Sequence, residues 1–349
     1  MNENRTEIGS LGEFGLIDHL TRNNETVQAG TLLSIGDDGA VIDHFGKQTV
    51  ISTDMLVEGV HFDLMYTPLK HLGYKSVAVN VSDIAAMMAT PTHITLSIGI
   101  SNRFSVEALD EFYTGVYAAC EQYNIDLVGG DTTSSSSGMI ISITAIGEVT
   151  PDQFVTRSGA RKHDLICVSG YLGGAYLGLQ LLEREKRIFL ENPSIQPDLQ
   201  QRSHIVGRIL KPEARTDIME WLNEQGIKPT SMIDVSDGLS SELLHICRQS
   251  RCGCVIHEEK LPVHDESREV AMEFGVDPTM CALNGGEDYE LLFTIPQADY
   301  DKITAHEGIS VIGYITEEEE GAHLITRSNN KHALVAQGWN AFGDQKNAN

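Results

Sequence analysis

Ile125-Asp126-Leu127-Val128-Gly129-Gly130-Asp131-Thr132 reads as a β-rich run that delivers an aspartate through a Gly-Gly turn. A helical pattern over residues 106–123 precedes it, and residues 139–146 form another strand pattern after it. Working outward, residues 49–53 read as a strand with Asp54 at its exit, and residues 71–89 as a helix that stops before Pro91. On that helix Leu72, Ala78, Val81, Ala85 and Met88 fall on one side. Asn80 and Asp83, three positions apart, share a face, as two polar groups aimed at one ligand would.

The pattern restarts at Asp164-Leu165-Ile166-Cys167-Val168-Ser169-Gly170, after a boundary candidate at Thr150-Pro151-Asp152. Strand and helix alternate throughout, which predicts an α/β class. A chain of 349 residues exceeds the usual single-core limit, so two domains are expected, over residues 1–150 and 151–349. In the second half, Gly173-Gly174 opens a helix running through Glu185, and the polar stretch 187–201, with Pro193 and Pro197, reads as an irregular insertion. Residues 231–235 form a strand, and Leu239, Leu243, Ile246 and Cys247 make the stripe of the helix that follows. Ser236-Asp237-Gly238 is then expected to cap that helix, either as an ordinary N-cap or as a phosphate-facing terminus.

Aspartates end apolar runs in five stretches, each beside Gly, Ser or Thr. These are Gly36-Asp37-Asp38-Gly39, Ser52-Thr53-Asp54, Val81-Ser82-Asp83, Gly129-Gly130-Asp131 and Asp234-Val235-Ser236-Asp237, with Gly285-Gly286-Glu287-Asp288 as an acidic sixth. Carboxylates repel unless cations bridge them, so a converging set of this kind predicts a hard-metal site, Mg²⁺ carrying a polyphosphate. That points to phosphoryl transfer. The balance of 25 basic against 50 acidic residues, a formal charge of −25, argues against a nucleic-acid backbone or an anionic membrane as partner. The six cysteines form no C-x-x-C pair and no regular framework, which fits the cytoplasm. Neither an export signal nor an 18-residue apolar run is found in the sequence.

The familiar nucleotide signatures are missing: Gly46-Lys47 is followed by Gln48, and Gly170-Tyr171-Leu172-Gly173 does not fit G-x-G-x-x-G. With that absence the chain resembles the thiamine-monophosphate kinase family. This family belongs to a superfamily with aminoimidazole ribonucleotide synthetase, selenophosphate synthetase and a hydrogenase-maturation protein. The resemblance runs from Gly12-Glu13-Phe14 through Gly36-Asp37-Asp38, Ser52-Thr53-Asp54, Gly59-Val60-His61-Phe62 and Ala78-Val79-Asn80-Val81-Ser82-Asp83. It continues through Gly129-Gly130-Asp131-Thr132, Thr156-Arg157-Ser158-Gly159-Ala160, Asp234-Val235-Ser236-Asp237-Gly238-Leu239 and Gly285-Gly286-Glu287-Asp288-Tyr289-Glu290. No Cys precedes Cys120 and the tail carries none, so the marks of the selenophosphate and hydrogenase relatives are absent. Aminoimidazole ribonucleotide synthetase stays open as an alternative, as do a non-catalytic metal-binding protein and a metal-dependent phosphatase.

The resemblance implies transfer from ATP to thiamine monophosphate, the step that completes thiamine diphosphate. It also implies two α/β-type domains of the aminoimidazole ribonucleotide synthetase-like fold. The N-terminal mixed sheet would close a barrel with its mate in a homodimer and bind ATP and Mg²⁺, and the C-terminal α/β domain would complete the site. By that resemblance Asp37, Ser52, Thr53, Asp54, Asp83, Asp131, Asp234 and Asp237 hold several Mg²⁺ ions, with Asp54, Asp83 and Asp131 at the centre of catalysis. Asp38 is left out of the ligand set, since adjacent residues need not point the same way. Gly130, Asp131, Arg157 and Ser236 match ATP contacts, with Tyr113 as a weaker one. The alternative for Arg157 is a surface ion pair, and for Tyr113 a place in the core. His61, Glu287 and Trp339 match contacts to thiamine monophosphate, although His61 and Trp339 also suit packing roles.

Overall fold

A helix buried on every side holds the chain together. The computed structural model describes residues 31–338 apart from 34, 35, 45, 102, 198 and 200. Trp339 and Gly12-Glu13-Phe14 lie outside the described residues. Helix α1 (Leu69–Ala86) buries 14 of its 18 residues, among them Lys75, Ser76, Asn80 and Ser82. Buried polar groups are retained only where they find partners; the Ser76 hydroxyl bonds back to the Gly73 carbonyl, so Lys75, Asn80 and Ser82 mark where α1 meets more than a hydrophobic core.

One side of α1 packs on a six-stranded sheet. Its strands are β1 (Thr31–Leu33), β2 (Ala40–His44), β3 (Lys47–Val57), β4 (Thr90–Ile100), β5 (Asp126–Ser134) and β6 (Ile140–Val149). They lie in the order β1-β2-β3-β6-β4-β5, with β4 and β5 parallel and the other pairs antiparallel. The parallel pair requires a crossover, which helix α2 (Val106–Tyr123) supplies. Leu72, Val77, Val81 and Ile84 of α1 join Phe112 and Val116 of α2 and Ile94, Ile141 and Ile143 of the sheet in one core.

The second sheet takes β7 (Leu165–Ser169), β8 (Ser231–Asp234), β9 (Cys252–His257), β10 (Leu291–Ile295), β11 (Ile309–Glu317), β12 (Ala322–Ile325) and β13 (Lys331–Ala333). Their order is β13-β12-β9-β11-β7-β10-β8, with β9 and β12 parallel. Around it lie α3 (Gly174–Glu191), α4 (Ser203–Leu210), α5 (Thr216–Glu224), α6 (Leu239–Ser250), α7 (Asp265–Phe274), α8 (Pro278–Asn284) and α9 (Tyr300–Thr304). Ala85 and Ala86, at the end of α1, pack with Ile218, Met219 and Phe293 of this second half. The mixed sheets and alternating helices give the expected α/β class.

Three local expectations are corrected. Asp54 is not at a strand exit: β3 runs on to Val57, and Asp54 pairs with Ile143 in its interior. Gly129-Gly130 is no turn, because β5 continues through it, pairing Gly129 with Thr95 and Gly130 with Leu96. A Cβ on Gly130 would fall 1.7 Å from the Leu96 carbonyl oxygen, so the glycine serves close strand approach rather than chain reversal. Finally, α3 extends to Glu191, taking up the first part of the expected insertion.

Glycine also sets the contact between α1 and α2. A Cβ at Gly115 would sit 1.8 Å from the Lys70 carbonyl oxygen, and one at Gly73 2.0 Å from that of Phe112. Backbone cannot give way as a side chain does. Gly115→Ala is therefore expected to lower stability by about 2 kcal/mol or more through overpacking. Gly207→Ala, in α4 with nothing within 4 Å of its Cβ, should be neutral or stabilising by about 0.5–1 kcal/mol. Urea denaturation of the two variants side by side checks the contrast.

Candidate active site

Three carboxylates from distant parts of the chain meet beside α1. Asp38 precedes β2, Asp83 lies on α1 and Asp234 ends β8; one oxygen of each lies within 4.8 Å of the others. Asp38 is 8% exposed and Asp234 2%. Hydroxyls from neighbouring positions orient two of them. The Ser52 hydroxyl donates to Asp83 Oδ2 at 2.5 Å, and the Ser82 hydroxyl to Asp234 Oδ2 at 2.6 Å.

The alternation of β3 decides which of its residues take part. Ser52 faces α1, whereas the Thr53 hydroxyl turns to the opposite side and donates to the Ile143 carbonyl at 2.9 Å. Asp54 returns to the α1 side. Its backbone N–H donates to Asn80 Oδ1 at 2.9 Å, and the Asn80 amide is fixed by donating to the Ser76 carbonyl at 2.9 Å. The shared face of Asn80 and Asp83 thus meets β3 at Asp54 and Ser52.

Crowded acids resist ionisation. Burial, then Asp54, Asp234 and Asp38, pushes Asp83 well above the usual carboxylate range. Burial and then Asp38 raise Asp234 to about 7, and burial with Asp38 raises Asp37 to about 6. Arg157 offsets part of this charge. Its backbone N–H donates to Asp37 Oδ1 at 3.0 Å, while its Nε donates to Asp38 Oδ2 at 3.1 Å and its Nη2 to Asp38 Oδ1. The guanidinium fork thus holds Asp38, in a largely buried pair rather than one on the surface.

Around α6 the expected cap is reversed. Gly238 occupies the N-cap position, which leaves the cap itself without a side chain. The carboxylate of Glu242, in the first turn, reaches back so that Glu242 Oε1 accepts from the Asp237 N–H at 2.8 Å and from the Ser236 hydroxyl at 3.4 Å. Burial, with Asp237 beside it, pushes Glu242 well above the usual carboxylate range.

The remaining candidates fall into two groups. Tyr113, Gly130 and Asp131 line one cleft of about 480 Å³ with Leu127 and Val128. There Asp131 is exposed on β5, outside the three-carboxylate cluster. On the other side, Glu287 sits in the left-handed region at φ 56°, and its N–H donates to the Ser236 carbonyl at 2.6 Å. Lys75 Nζ lies 2.6 Å from Glu287 Oε2. His61 Nδ1 accepts from the Val57 N–H at 3.0 Å, closing the loop after β3. Asp38 was set aside as a ligand, and Lys75 was not foreseen. The signal for Lys75 is a cation on a helix face shared with Leu72, Ala78 and Val79.

Comparison with known proteins gives this geometry its family. The N-terminal domain of AIR synthase related proteins matches residues 36–149. The thiamine-monophosphate kinase of Aquifex aeolicus is 35% identical over 335 residues, covering 96% of this chain and 99% of that protein. That of Bacillus subtilis is 31% identical, over 95% of this chain and 100% of its own. Among solved structures, AaThiL complexed with AMPPCP and TMP superposes with a TM-score of 0.84 at 32% identity, over 97% of this chain and 100% of that one. The hydrogenase maturation protein HypE in complex with ATP reaches 0.70 at 20% identity, a likeness of fold alone. A carboxylate cluster assembled from the motifs at 36–39, 78–83 and 234–239, in a chain matched almost end to end, places this protein in the thiamine-monophosphate kinase family.

Proposed function

We propose that this protein phosphorylates thiamine monophosphate with ATP, giving thiamine diphosphate and ADP by direct in-line transfer. Full-length similarity to named thiamine-monophosphate kinases supports the reaction. The observation that carries it at the level of chemistry is the convergence of Asp38, Asp83 and Asp234 within 4.8 Å. Three carboxylates without a nitrogen or sulfur donor suit a hard divalent ion such as Mg²⁺. Asp37, Ser52, Thr53, Asp54, Asp131 and Asp237 complete the proposed donor set, with Thr53 acting through its backbone oxygen because its hydroxyl is engaged elsewhere. Bound there, Mg²⁺ supplies charge neutralisation and alignment of phosphate oxygens.

The chain's own residues do the rest. A phosphate monoester has a second pKa of about 6, so the acceptor is already a nucleophilic dianion and no protein base has to act. Tyr113, Gly130 and Asp131 would receive the nucleotide in their shared cleft, with Arg157 and Ser236 bordering its phosphates. His61, Glu287 and Trp339 would receive the acceptor. Glu287 accepts from the aminopyrimidine, and the indole of Trp339 stacks on the cationic ring. Residues 1–150 form the nucleotide and dimerisation domain in this reading, and residues 151–349 complete the site.

The edge strand β5, with Val128 57% exposed, supports pairing with a second copy into a homodimeric barrel. Six free, buried cysteines accord with a cytoplasmic enzyme. No helix among the described residues is long and apolar enough to cross a membrane.

Incubation with ATP, Mg²⁺ and thiamine monophosphate should give ADP and thiamine diphosphate in equal amounts, both abolished by EDTA. Thiamine or free phosphate without ADP would identify a phosphatase instead. Asp38→Asn should lower turnover by about 10² or more, since it removes one charge from the cluster while sparing its shape. Near-wild-type turnover would take Asp38 out of the site.

The raised carboxyls also predict a pH dependence of stability. Asp234 binds its proton more tightly folded than unfolded, so its stabilising contribution is complete below about pH 4 and lost as pH rises through about 7. In EDTA the melting temperature should fall from pH 5 to pH 8, Asp234→Asn should flatten that fall, and Mg²⁺ should stabilise more at pH 8 than at pH 5. A slope unchanged by Asp234→Asn would contradict the assignment.

A further inference from the structure

Lys75 is 2% exposed, in the first half of α1. An ammonium at such a depth is tolerated only when its donors are matched. Nζ donates to the Ile209 carbonyl at 3.2 Å and to Glu287 Oε2 at 2.6 Å. The ion pair spans 212 positions of sequence and joins α1 to the turn that follows α8.

That turn is held from two sides. Glu287 and Tyr289 both lie at positive φ, 56° and 51°, a strained conformation for non-glycine residues that persists only where the surroundings enforce it. The enforcement is visible in the backbone: the Glu287 N–H donates to the Ser236 carbonyl at 2.6 Å, and the Tyr289 N–H to the Val235 carbonyl at 2.8 Å. The backbone of Glu287 is thus fixed by the segment carrying Asp234 and Asp237. Its carboxylate is fixed by Lys75, through Oε2. With the side chain 29% exposed, the carboxylate keeps one face open.

We propose that Lys75 is a positioning residue for the acceptor, holding Glu287 Oε2 so that Oε1 is presented to the amino group of the incoming thiamine phosphate. The proposal rests on the reading of Glu287 as an acceptor contact. Because Asp83 lies on the same helix, α1 also fixes the distance between the amino-binding end of the site and the carboxylate cluster.

Steady-state kinetics on the full-length enzyme with Mg²⁺ tests this. Lys75→Met should raise KM for thiamine monophosphate about tenfold, the loss of one charge-assisted hydrogen bond, with KM for ATP within about twofold and kcat less affected than KM. Lys75→Arg, which keeps a charge but not the geometry, should fall between wild type and Lys75→Met. In a Glu287→Gln background, Lys75→Met should add little further. Equal rises in both KM values, or a fall in kcat with KM for thiamine monophosphate unchanged, would mean that Lys75 only secures α1 and would overturn the proposal.

Glu287→Gln separates the two layers of the reading. An unchanged KM for thiamine monophosphate in that variant removes Glu287 as an acceptor contact, and the role of Lys75 with it. A raised KM in Glu287→Gln alongside a wild-type KM in Lys75→Met removes Lys75 alone. Should the methionine variant fail to fold, Lys75→Gln takes its place with the same reading of KM.

Discussion

Three like charges that the fold forces together govern this structure. Asp38, Asp83 and Asp234 are separated by 45 and 151 positions of sequence, yet their oxygens lie within 4.8 Å. Such a cluster is unfavourable in isolation, because burial removes the water that would screen each carboxylate from the next. Its existence requires rigid supports on every side. α1 supplies one of them: buried all round, it places Asp83 against β3 and Ser82 against Asp234 at once. The glycines at 73 and 115 let α2 press on α1 from behind, backbone against backbone. Part of the charge is met by Arg157, and the remainder appears as raised affinity for protons, or for a dication in their place.

The same logic explains how the neighbouring helix termini are used. A free helix N-terminus attracts phosphate, but carboxylates of the chain stand at two of the termini here. Glu242 accepts from the Asp237 N–H just before the N-cap Gly238 of α6, and Asp288 closes α3 by accepting from the Gly173 N–H at 2.7 Å and the Ala175 N–H at 3.4 Å. Both acids are raised by burial, Asp288 to about 7. Where carboxylates crowd in this way, a polyphosphate would need cations to mediate its contact, which accords with the absence of any P-loop in the sequence.

Much of this was legible in the sequence where periodicity or motif spacing carries the information. The span of α2 is that of the helical pattern at residues 106–123, and the shared face of Asn80 and Asp83 follows from a spacing of three. What was not legible depended on contacts between distant segments. Asp38 turns inward because Arg157, 119 positions away, grips its carboxylate while its neighbour Asp37 takes the backbone N–H of the same arginine. The Gly-Gly pair at 129–130 resembles a turn locally, and only the approach of Leu96 shows it to be strand. Glu242 was hidden for a similar reason: it reaches back from inside the helix to the Asp237 N–H, so no residue before the helix reveals it. β3 shows the opposite case, in which period-2 alternation alone separates the inward Ser52 from the outward Thr53.

α1 unites these observations. Along one helix the chain carries Lys75 for the acceptor side, Asn80 for the backbone of β3, Ser82 for Asp234 and Asp83 for the carboxylate cluster. At a rise of about 1.5 Å per residue, Lys75 and Asp83 are about 12 Å apart along the axis, a spacing set by one continuous helix. Where transfer needs no protein base, rate depends on holding two anions in line. A single rigid element that addresses both ends of the acceptor meets that need more directly than two loops, each with its own motion. This is why so many polar residues are kept in a helix that hydrophobic packing alone would have filled with leucine and valine.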